Sequence, residues 1–116
     1  MTGNTRTVEN YMAAFARGDH AGVMACLTDD VEWEVPGAFR LTGKAAFDAE
    51  IENPAFVGHP DIATARTVED GNVVVAEGTV RTQRKDGVRM TLRFCDVFEM
   101  RAGKIARLTS YLMEVK

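Results

Sequence analysis

An acidic side chain stands in a row of apolar ones near the end of the chain. In the run from Met90 to Phe98, strand alternation places Leu92, Phe94, Asp96 and Phe98 on one face. A buried carboxylate is costly unless it is paired or protonated, so we expect a raised pKa for Asp96 if no cation reaches it. The protonated acid would then donate a hydrogen bond. Two alternatives stay open: an ion pair with an arginine of a neighbouring strand, and a β-bulge that turns the side chain to solvent.

A tyrosine near the start of the chain is the second candidate donor. Val8, Tyr11, Met12 and Phe15 recur at the spacing of one helical stripe, so the Tyr11 ring is expected to point into the fold. Its hydroxyl then needs a partner, and Asp96 is one candidate. Two donors aimed at one oxygen would bind a carbonyl group or stabilise an enolate. The alternative is a tyrosine that only packs in the core.

Acid/base chemistry also needs a proton acceptor. By strand alternation Glu77, Thr79 and Arg81 share one face of a strand. We expect Glu77 to take the proton beside Asp96, with Glu50 as the alternative. The competing interpretation is that Glu77 and Arg81 form a solvated ion pair on an outward strand face.

Three short helices are predicted in the first half of the chain. The first covers Thr5 to Arg17 and ends at Gly18. Asp19 is the expected N-cap of the second helix, and Thr42 that of the third, which ends at Asn53 and Pro54. Helices in these positions would hold Tyr11 and Glu50.

Alternating segments follow the helices. A short strand is predicted from Val31 to Val35, ended by Pro36 and Gly37. Four longer strands are predicted at Ile62–Glu69, Asn72–Arg84, Val88–Met100 and Lys104–Met113. Their short connections imply antiparallel neighbours, so the fold class is α+β, with the helices on one sheet face. The segment from Asn53 to Pro60 is the one loop with room for a lid.

The composition restricts the partners. The chain has 116 residues, 46% of them hydrophobic, and its 14 Lys and Arg residues against 17 Asp and Glu residues give a net charge of −3. We expect one domain over residues 1–116. Without a basic run, nucleic acid and anionic membranes are poor partners, and a small neutral or polar ligand fits better.

The two cysteines and the apolar segments carry little further signal. Cys26 and Cys95 lie far apart without metal-ligand spacing, so we predict two reduced thiols, no metal site and no cofactor. The sequence shows neither a secretory segment nor an apolar run of membrane-spanning length, which favours a cytoplasmic location.

Four stretches together resemble a known superfamily. They are Tyr11–Asp19, Leu27–Val31, Thr42–Phe47 and Asp96–Ile105. They are similar to SnoaL-like and ketosteroid-isomerase-like members of the nuclear transport factor 2 superfamily. The resemblance implies a cone of curved antiparallel sheet, closed by three helices, with a deep internal pocket. The superfamily includes isomerases, cyclases, dehydratases, hydrolases and proteins without chemistry, so the fold alone does not choose an activity.

The resemblance carries over unevenly to single residues. Tyr11 matches the oxyanion-hole tyrosine of the isomerases, and Asp96 matches their protonated aspartic acid. Their general base is an aspartate directly before a proline in the first strand, where this chain has Val35 before Pro36. Glu34 has the opposite parity and would need a bulge to take that role.

Further positions of the family concern the substrate. In the resembling isomerases the positions that match Glu77, Thr79 and Arg81 point into the pocket and are largely apolar, so a more polar pocket is implied here and sterols fit poorly. The limonene-epoxide-hydrolase branch has an acid at the position of Ser110, which disfavours that activity.

We therefore predict a small-molecule pocket protein in which Tyr11 and Asp96 are oxyanion donors and Glu77 is the base. The expected ligand-binding residues are Trp33, Val35, Phe47, Glu50, Thr79, Arg81, Phe94, Phe98, Leu108 and Ser110. An isomerase or cyclase acting on a small carbonyl compound is one hypothesis, and a non-catalytic ligand-binding or scaffold domain that lacks the base is the other. A homodimer is expected through an apolar outer sheet face made by Val74, Ala76, Val80, Cys95 and Val97.

Overall fold

Six strands form one curved, open sheet with helices against one face. The structure, a computed structural model, describes residues 3–52 and 56–115, without the side chains of residues 56 and 57. In chain order the elements are α1 (Gly3–Ala16), α2 (His20–Met24), β1 (Leu27–Val35), β2 (Phe39–Thr42), α3 (Lys44–Ile51), β3 (Phe56–Asp70), β4 (Val73–Arg84), β5 (Arg89–Arg101) and β6 (Lys104–Glu114). The strand order is β2-β1-β6-β5-β4-β3. The predicted α+β class is confirmed.

The three predicted helices are present, with one cap corrected. The stripe on α1 buries Val8 and Tyr11, and Gly18 follows the helix with a φ of 69°. Asp19 caps α2 as predicted, because its side chain accepts a hydrogen bond from the Gly22 N–H at 3.0 Å. The prediction that Thr42 caps α3 is wrong: Thr42 ends β2, and Gly43 precedes α3 without a side-chain cap. In the described ranges, no helix is long and apolar enough to cross a membrane.

The strands differ from the prediction at four places, two of which are the start of β1 at Leu27 and the unpredicted strand β2. β3 already begins at Phe56, whose backbone lies opposite Arg84, so residues 56–60 of the expected lid belong to a strand. The rest of that segment, residues 53–55, lies outside the described residues. In addition, β1 pairs with β6 in parallel, so the sheet is mixed, whereas every other neighbouring pair is antiparallel.

Strand register decides which side chains share a face. Ala76 lies opposite Asp96, and Asp96 lies opposite Ser110, so these three residues point to the same side. The core lies on this side, where Phe98 and Leu108 are fully buried. We call this side the cavity face and the opposite side the outer face.

The register corrects the predicted faces of β4. Val74 and Ala76 have no exposed surface, so they belong to the core and not to an outer apolar patch. Val80, two positions further on the same parity, also faces inward. Glu77, opposite Cys95, therefore lies on the outer face. The prediction that Glu77, Thr79 and Arg81 face the pocket is wrong, because the alternate residues of β4 face it instead.

A glycine in β4 allows the backbone of β3 to approach closely. A Cβ atom on Gly78 would lie 2.1 Å from the Ala63 carbonyl oxygen and 2.9 Å from the Phe94 ring. The register of β3 against β4 shifts close by, between Thr64 and Arg66. The close approach of two backbones at this bulge therefore requires a residue without a side chain.

Candidate functional site

A cavity of about 430 Å³ opens between the helices and the cavity face of the sheet. Its wall is mostly apolar and aromatic, and this volume lies within the usual range for small-molecule sites. Among the described lining residues, three have titratable side chains: Tyr11 on α1, Glu50 on α3 and Asp96 on β5. Each comes from a different element, so the fold brings the candidate groups together from distant parts of the sequence.

Asp96 is a buried acid on the cavity wall. Its side chain belongs to a residue that is 8% exposed, and burial raises the pKa of Asp96 from 3.8 to about 7, although a hydrogen bond with Ser110 lowers it. Within the described residues, its Oδ1 atom is buried without a hydrogen-bond partner. The predicted rise of the pKa is confirmed. Neither alternative holds, because no arginine contributes to the shift and the bulge in β5 lies between Glu99 and Met100.

Tyr11 lies inside the aromatic core and lines the same cavity as this acid. Its ring centroid lies 5.6 Å from that of Phe98 and 6.0 Å from that of Phe47. Burial raises the pKa of Tyr11 well above its ordinary value, and the charges of Asp96 and Cys26 raise it further. The phenol is therefore neutral at physiological pH, and Asp96 lies within electrostatic reach of it. Both groups can donate a hydrogen bond when Asp96 is protonated.

Trp33 and Ser110 complete the polar part of the wall. The Trp33 Nε1–H donates a hydrogen bond to Ser110 Oγ at 3.1 Å. The indole stacks on Phe47, with ring centroids 4.5 Å apart and an interplanar angle of 25°. Because both polar residues are buried, water does not compete for this hydrogen bond.

The predicted site residues fall into three groups. Seven of them line the cavity: Tyr11, Trp33, Val35, Glu50, Phe94, Asp96 and Ser110. Three are fully buried in the core and do not line it: Phe47, Phe98 and Leu108. The remaining three, Glu77, Thr79 and Arg81, lie on the outer face. Phe47 stacks against Trp33, and Phe98 makes an edge contact with Tyr11.

Glu77 has a partner on that outer face. Its carboxylate forms an ion pair with Arg66 of β3, and its side chain is 39% exposed. The predicted ion pair with Arg81 is therefore replaced by a cross-strand pair with another arginine. A solvated, paired carboxylate on the far side of the sheet cannot reach a ligand that contacts Asp96.

Several residues that line the cavity were not predicted from the sequence. Val80, Thr82 and Met90 line the cavity, together with Leu92 and Leu112. Their signal was parity: each lies an even number of residues from Ala76, Asp96 or Ser110 along its own strand. Met12 and Phe15, which also line the cavity, follow from the apolar stripe of α1.

Comparison with known proteins agrees with this geometry. The family model of the SnoaL-like domain matches residues 8–108. The chain belongs to this SnoaL-like family. No curated protein sequence matches it. Among the described residues of this SnoaL-like chain, no group of three or more His, Cys, Asp or Glu side chains is placed to hold a metal ion.

Solved structures show the same fold. An NTF2-like protein of unknown function from Burkholderia pseudomallei K96243 is 25% identical, with a TM-score of 0.87 over 97% of this chain and 92% of that one. An LEH-like epoxide hydrolase of M. tuberculosis is also 25% identical, with a TM-score of 0.83 over 96% and 83% of the two chains. TerC, co-crystallised with polyporic acid, is 24% identical, with a TM-score of 0.86 over 97% and 92%.

Proposed function

We propose that this SnoaL-like chain binds a small carbonyl or enol compound through Tyr11 and Asp96, in a reaction of the isomerase or cyclase type. The observation that carries the proposal is a buried acid on the wall of an apolar cavity, with a pKa raised to about 7 and a neutral phenol on the same wall. Two neutral donors in apolar surroundings favour an oxygen that becomes negatively charged, because no solvent has to reorganise around it.

The protonation state of Asp96 sets the working range of this pair. Below about pH 7 the acid is mostly protonated and donates a hydrogen bond. Above that pH it becomes a carboxylate, which repels an enolate. Tyr11 stays neutral over the same range because its pKa is raised. We therefore expect enolate binding to weaken as the pH rises through about 7.

We propose Glu50 as the proton acceptor, in place of Glu77. Glu50 is the carboxyl side chain that lines the cavity besides Asp96 in the described residues. Glu77 lies on the outer face and pairs with Arg66, which excludes it from contact with the same ligand. Epoxide hydrolysis is not proposed, because Ser110 occupies the position of the acid in the limonene-epoxide-hydrolase branch.

A specific observation favours a second candidate, a non-catalytic binding protein. The residue before Pro36 is Val35, so the position of the usual general base is apolar. In this candidate, Tyr11 and Asp96 bind a ligand oxygen and no proton moves at carbon. The two candidates differ in one measurable event, the exchange of a hydrogen next to the carbonyl group.

The test uses β-tetralone in heavy water, with loss of the proton signals next to its carbonyl group followed by NMR. The proposal expects accelerated exchange by the native chain and at least about tenfold slower exchange for Asp96→Asn, Tyr11→Phe and Glu50→Gln. Glu77→Gln is the matched control and should exchange like the native chain.

Binding of β-naphthol, an analogue of the enol, is measured on the same variants. Binding that depends on Tyr11 and Asp96 without any exchange would support the non-catalytic candidate. Absence of both binding and exchange, or equal loss in Glu77→Gln, would contradict the proposed site.

We also propose that two copies of the chain pair through the outer face. Exposed apolar side chains on this face are Val68, Val73, Tyr111 and Met113. The face also carries the Glu77–Arg66 ion pair, so both signs of charge are available to a symmetry-related copy. Light scattering should give a dimer mass for the native chain and a monomer mass after Tyr111→Glu and Met113→Glu together. A monomeric native chain would contradict this proposal.

A further inference from the structure

Three buried polar side chains form a line from β1 through β6 to β5. Trp33 on β1 donates to Ser110 on β6, and Ser110 lies directly opposite Asp96 on β5, whose pKa the Ser110 hydroxyl group lowers. An indole N–H can only donate, so Ser110 Oγ is the acceptor of that bond. Its own hydroxyl hydrogen is then available to a second partner, and the Asp96 carboxyl group is the acceptor beside it.

We propose that Trp33 and Ser110 are positioning residues: their one-directional hydrogen-bond relay holds the Asp96 carboxyl group in one orientation and leaves its proton to the oxygen that Ser110 does not contact. This inference deepens the proposed function and rests on it, because it explains how the acid presents a donor in a fixed direction. Neither residue needs to touch a ligand for this role.

Packing fixes the first member of the relay. The Trp33 ring stacks on Phe47 and makes edge contacts with Phe15 and Phe39 at centroid distances of 6.0 and 5.1 Å. These contacts hold the indole N–H in place. Because Trp33 and Ser110 are 8% and 4% exposed, water is a poor substitute for either partner. The aromatic contacts of Trp33 therefore restrict the position of the Ser110 hydroxyl group through this hydrogen bond.

The last member of the relay has two unequal oxygens. Oδ1 of Asp96 is buried and has no hydrogen-bond partner in the described residues. The proposed relay therefore assigns the Ser110 hydroxyl group to the other oxygen, Oδ2. An oxygen that accepts a hydrogen bond is the poorer site for the proton, which therefore resides on Oδ1. A carboxyl group with its proton on one oxygen is a donor of defined direction, as a preorganised site requires.

The surroundings of Asp96 contain few other groups that titrate. Among the described residues, α1 contributes Tyr11 and α3 contributes Glu50 to the same cavity. The neighbouring strands place Ala76 and Ser110 opposite Asp96, and neither of these side chains is charged. Among the described residues, Ser110 lowers the pKa of Asp96, so its removal should be visible in the titration of this acid.

The experiment follows the carboxyl carbon of Asp96 by NMR on isotope-labelled protein as the pH is changed. In Ser110→Ala the pKa of Asp96 should rise by about one unit, because the ionised form loses its donor. Ser110→Thr keeps the hydroxyl group and should restore the native titration. Trp33→Phe removes the constraint on the direction of the Ser110 hydroxyl and should raise the pKa by a smaller amount.

Thr109→Ala is the matched control, since it removes a hydroxyl group from the neighbouring residue on the outer face. It should leave the titration of Asp96 unchanged. An unchanged or lower pKa in Ser110→Ala would overturn the relay, as would an equal shift in Thr109→Ala. If Ser110→Ala does not fold, native titration of Trp33→Phe overturns the relay, and a raised pKa supports it.

The same variants separate this inference from the proposed function. If the native chain neither binds β-naphthol nor exchanges β-tetralone, the proposed function fails, while a raised pKa in Ser110→Ala still supports the relay. If exchange occurs, its pH profile in Ser110→Ala should move upwards by the same amount as the titration. Exchange with an unmoved pH profile would contradict the positioning role.

Discussion

Two acids on adjacent strands, Asp96 and Glu77, have opposite surroundings. Asp96 lies opposite Ala76, the immediate neighbour of Glu77, so one residue of strand parity separates the two carboxyl groups. Asp96 is 8% exposed and has a hydroxyl partner, whereas the Glu77 side chain is 39% exposed and has an arginine partner. The same chemical group is therefore a candidate hydrogen-bond donor on one face and a surface ion pair on the other.

The difference shows that a neutral partner and exclusion of water, more than residue type, make a carboxyl group useful here. An arginine at the position of Ser110 would keep Asp96 ionised and remove its donor. A hydroxyl partner stabilises the carboxylate only weakly, so burial dominates and the pKa rises to about 7. Substitutions at Asp96, Gly78 and Glu77 test this contrast, and a substitution at His20 tests a weaker surface contact.

The largest effect is expected from Asp96→Asn on the pH dependence of stability. The raised pKa means that Asp96 contributes stability that is complete below about pH 4 and is lost as the pH rises through about 7. At about pH 8 the variant should be more stable than the native chain, by up to about 4 kcal/mol, because no buried charge has to form. Denaturant unfolding at a series of pH values measures this. Equal pH profiles for both chains would mean that Asp96 is not a buried, shifted acid.

Gly78→Ala should destabilise the pairing of β3 with β4. The added Cβ would lie 2.1 Å from a backbone oxygen of β3, which cannot move without disturbing the bulge. We expect a loss of about 3 kcal/mol in the free energy of unfolding. Gly3→Ala in α1 is the control, since nothing lies within 4 Å of its added atom. Native stability of Gly78→Ala would show that β3 and β4 do not approach as described.

Glu77→Gln tests the other half of the comparison. Removal of a half-exposed charge that pairs with Arg66 should change the unfolding free energy by less than about 1 kcal/mol, with less effect at high salt. Urea unfolding at low and high salt checks this. The measurement uses the monomeric Tyr111→Glu and Met113→Glu background, in which the outer face is uncovered, and a large loss there that salt does not reduce would contradict the exposed ion pair.

The smallest effect concerns an exposed histidine. His20 hydrogen-bonds Glu52 and also Asp48, the latter at 2.6 Å. Both contacts raise the pKa of His20 above 6.5, and Glu52 makes the larger contribution. The stability from this cluster is therefore complete below about pH 6.5 and is lost as the pH rises through the raised value. His20→Gln should remove this small slope and leave the larger slope from Asp96 unchanged. A native pH profile in His20→Gln would show that the cluster does not form in solution.

The sequence was sufficient for the face of β5 and insufficient for the face of β4. β5 alternates without a bulge up to Glu99, so Phe94 and Asp96 could be placed from spacing alone. The parity of β4 depends on the turn to β5, where Gln83 pairs with Arg89, and one residue more or less in that turn would exchange the two faces. Packing between strands decides which face of β4 points inward. The spacing of residues within one strand gives no information about that packing.

The partners of the acid were also beyond the reach of spacing. Tyr11 could be predicted from its helical stripe, and the structure brings it near Asp96. Ser110 was an expected ligand-binding residue, but its hydrogen bond with Trp33 joins two strands that are 77 residues apart in sequence. The parallel pairing of β1 with β6 brings Trp33 and Ser110 together, and no turn motif in the sequence predicts this pairing.

The most direct test of the account is a crystal structure of the chain with β-naphthol. We expect the ligand in the cavity, with its oxygen about 3 Å from the Tyr11 hydroxyl and from one carboxyl oxygen of Asp96. A ligand bound against Glu77 on the outer face, or a ligand oxygen that meets neither Tyr11 nor Asp96, would contradict it.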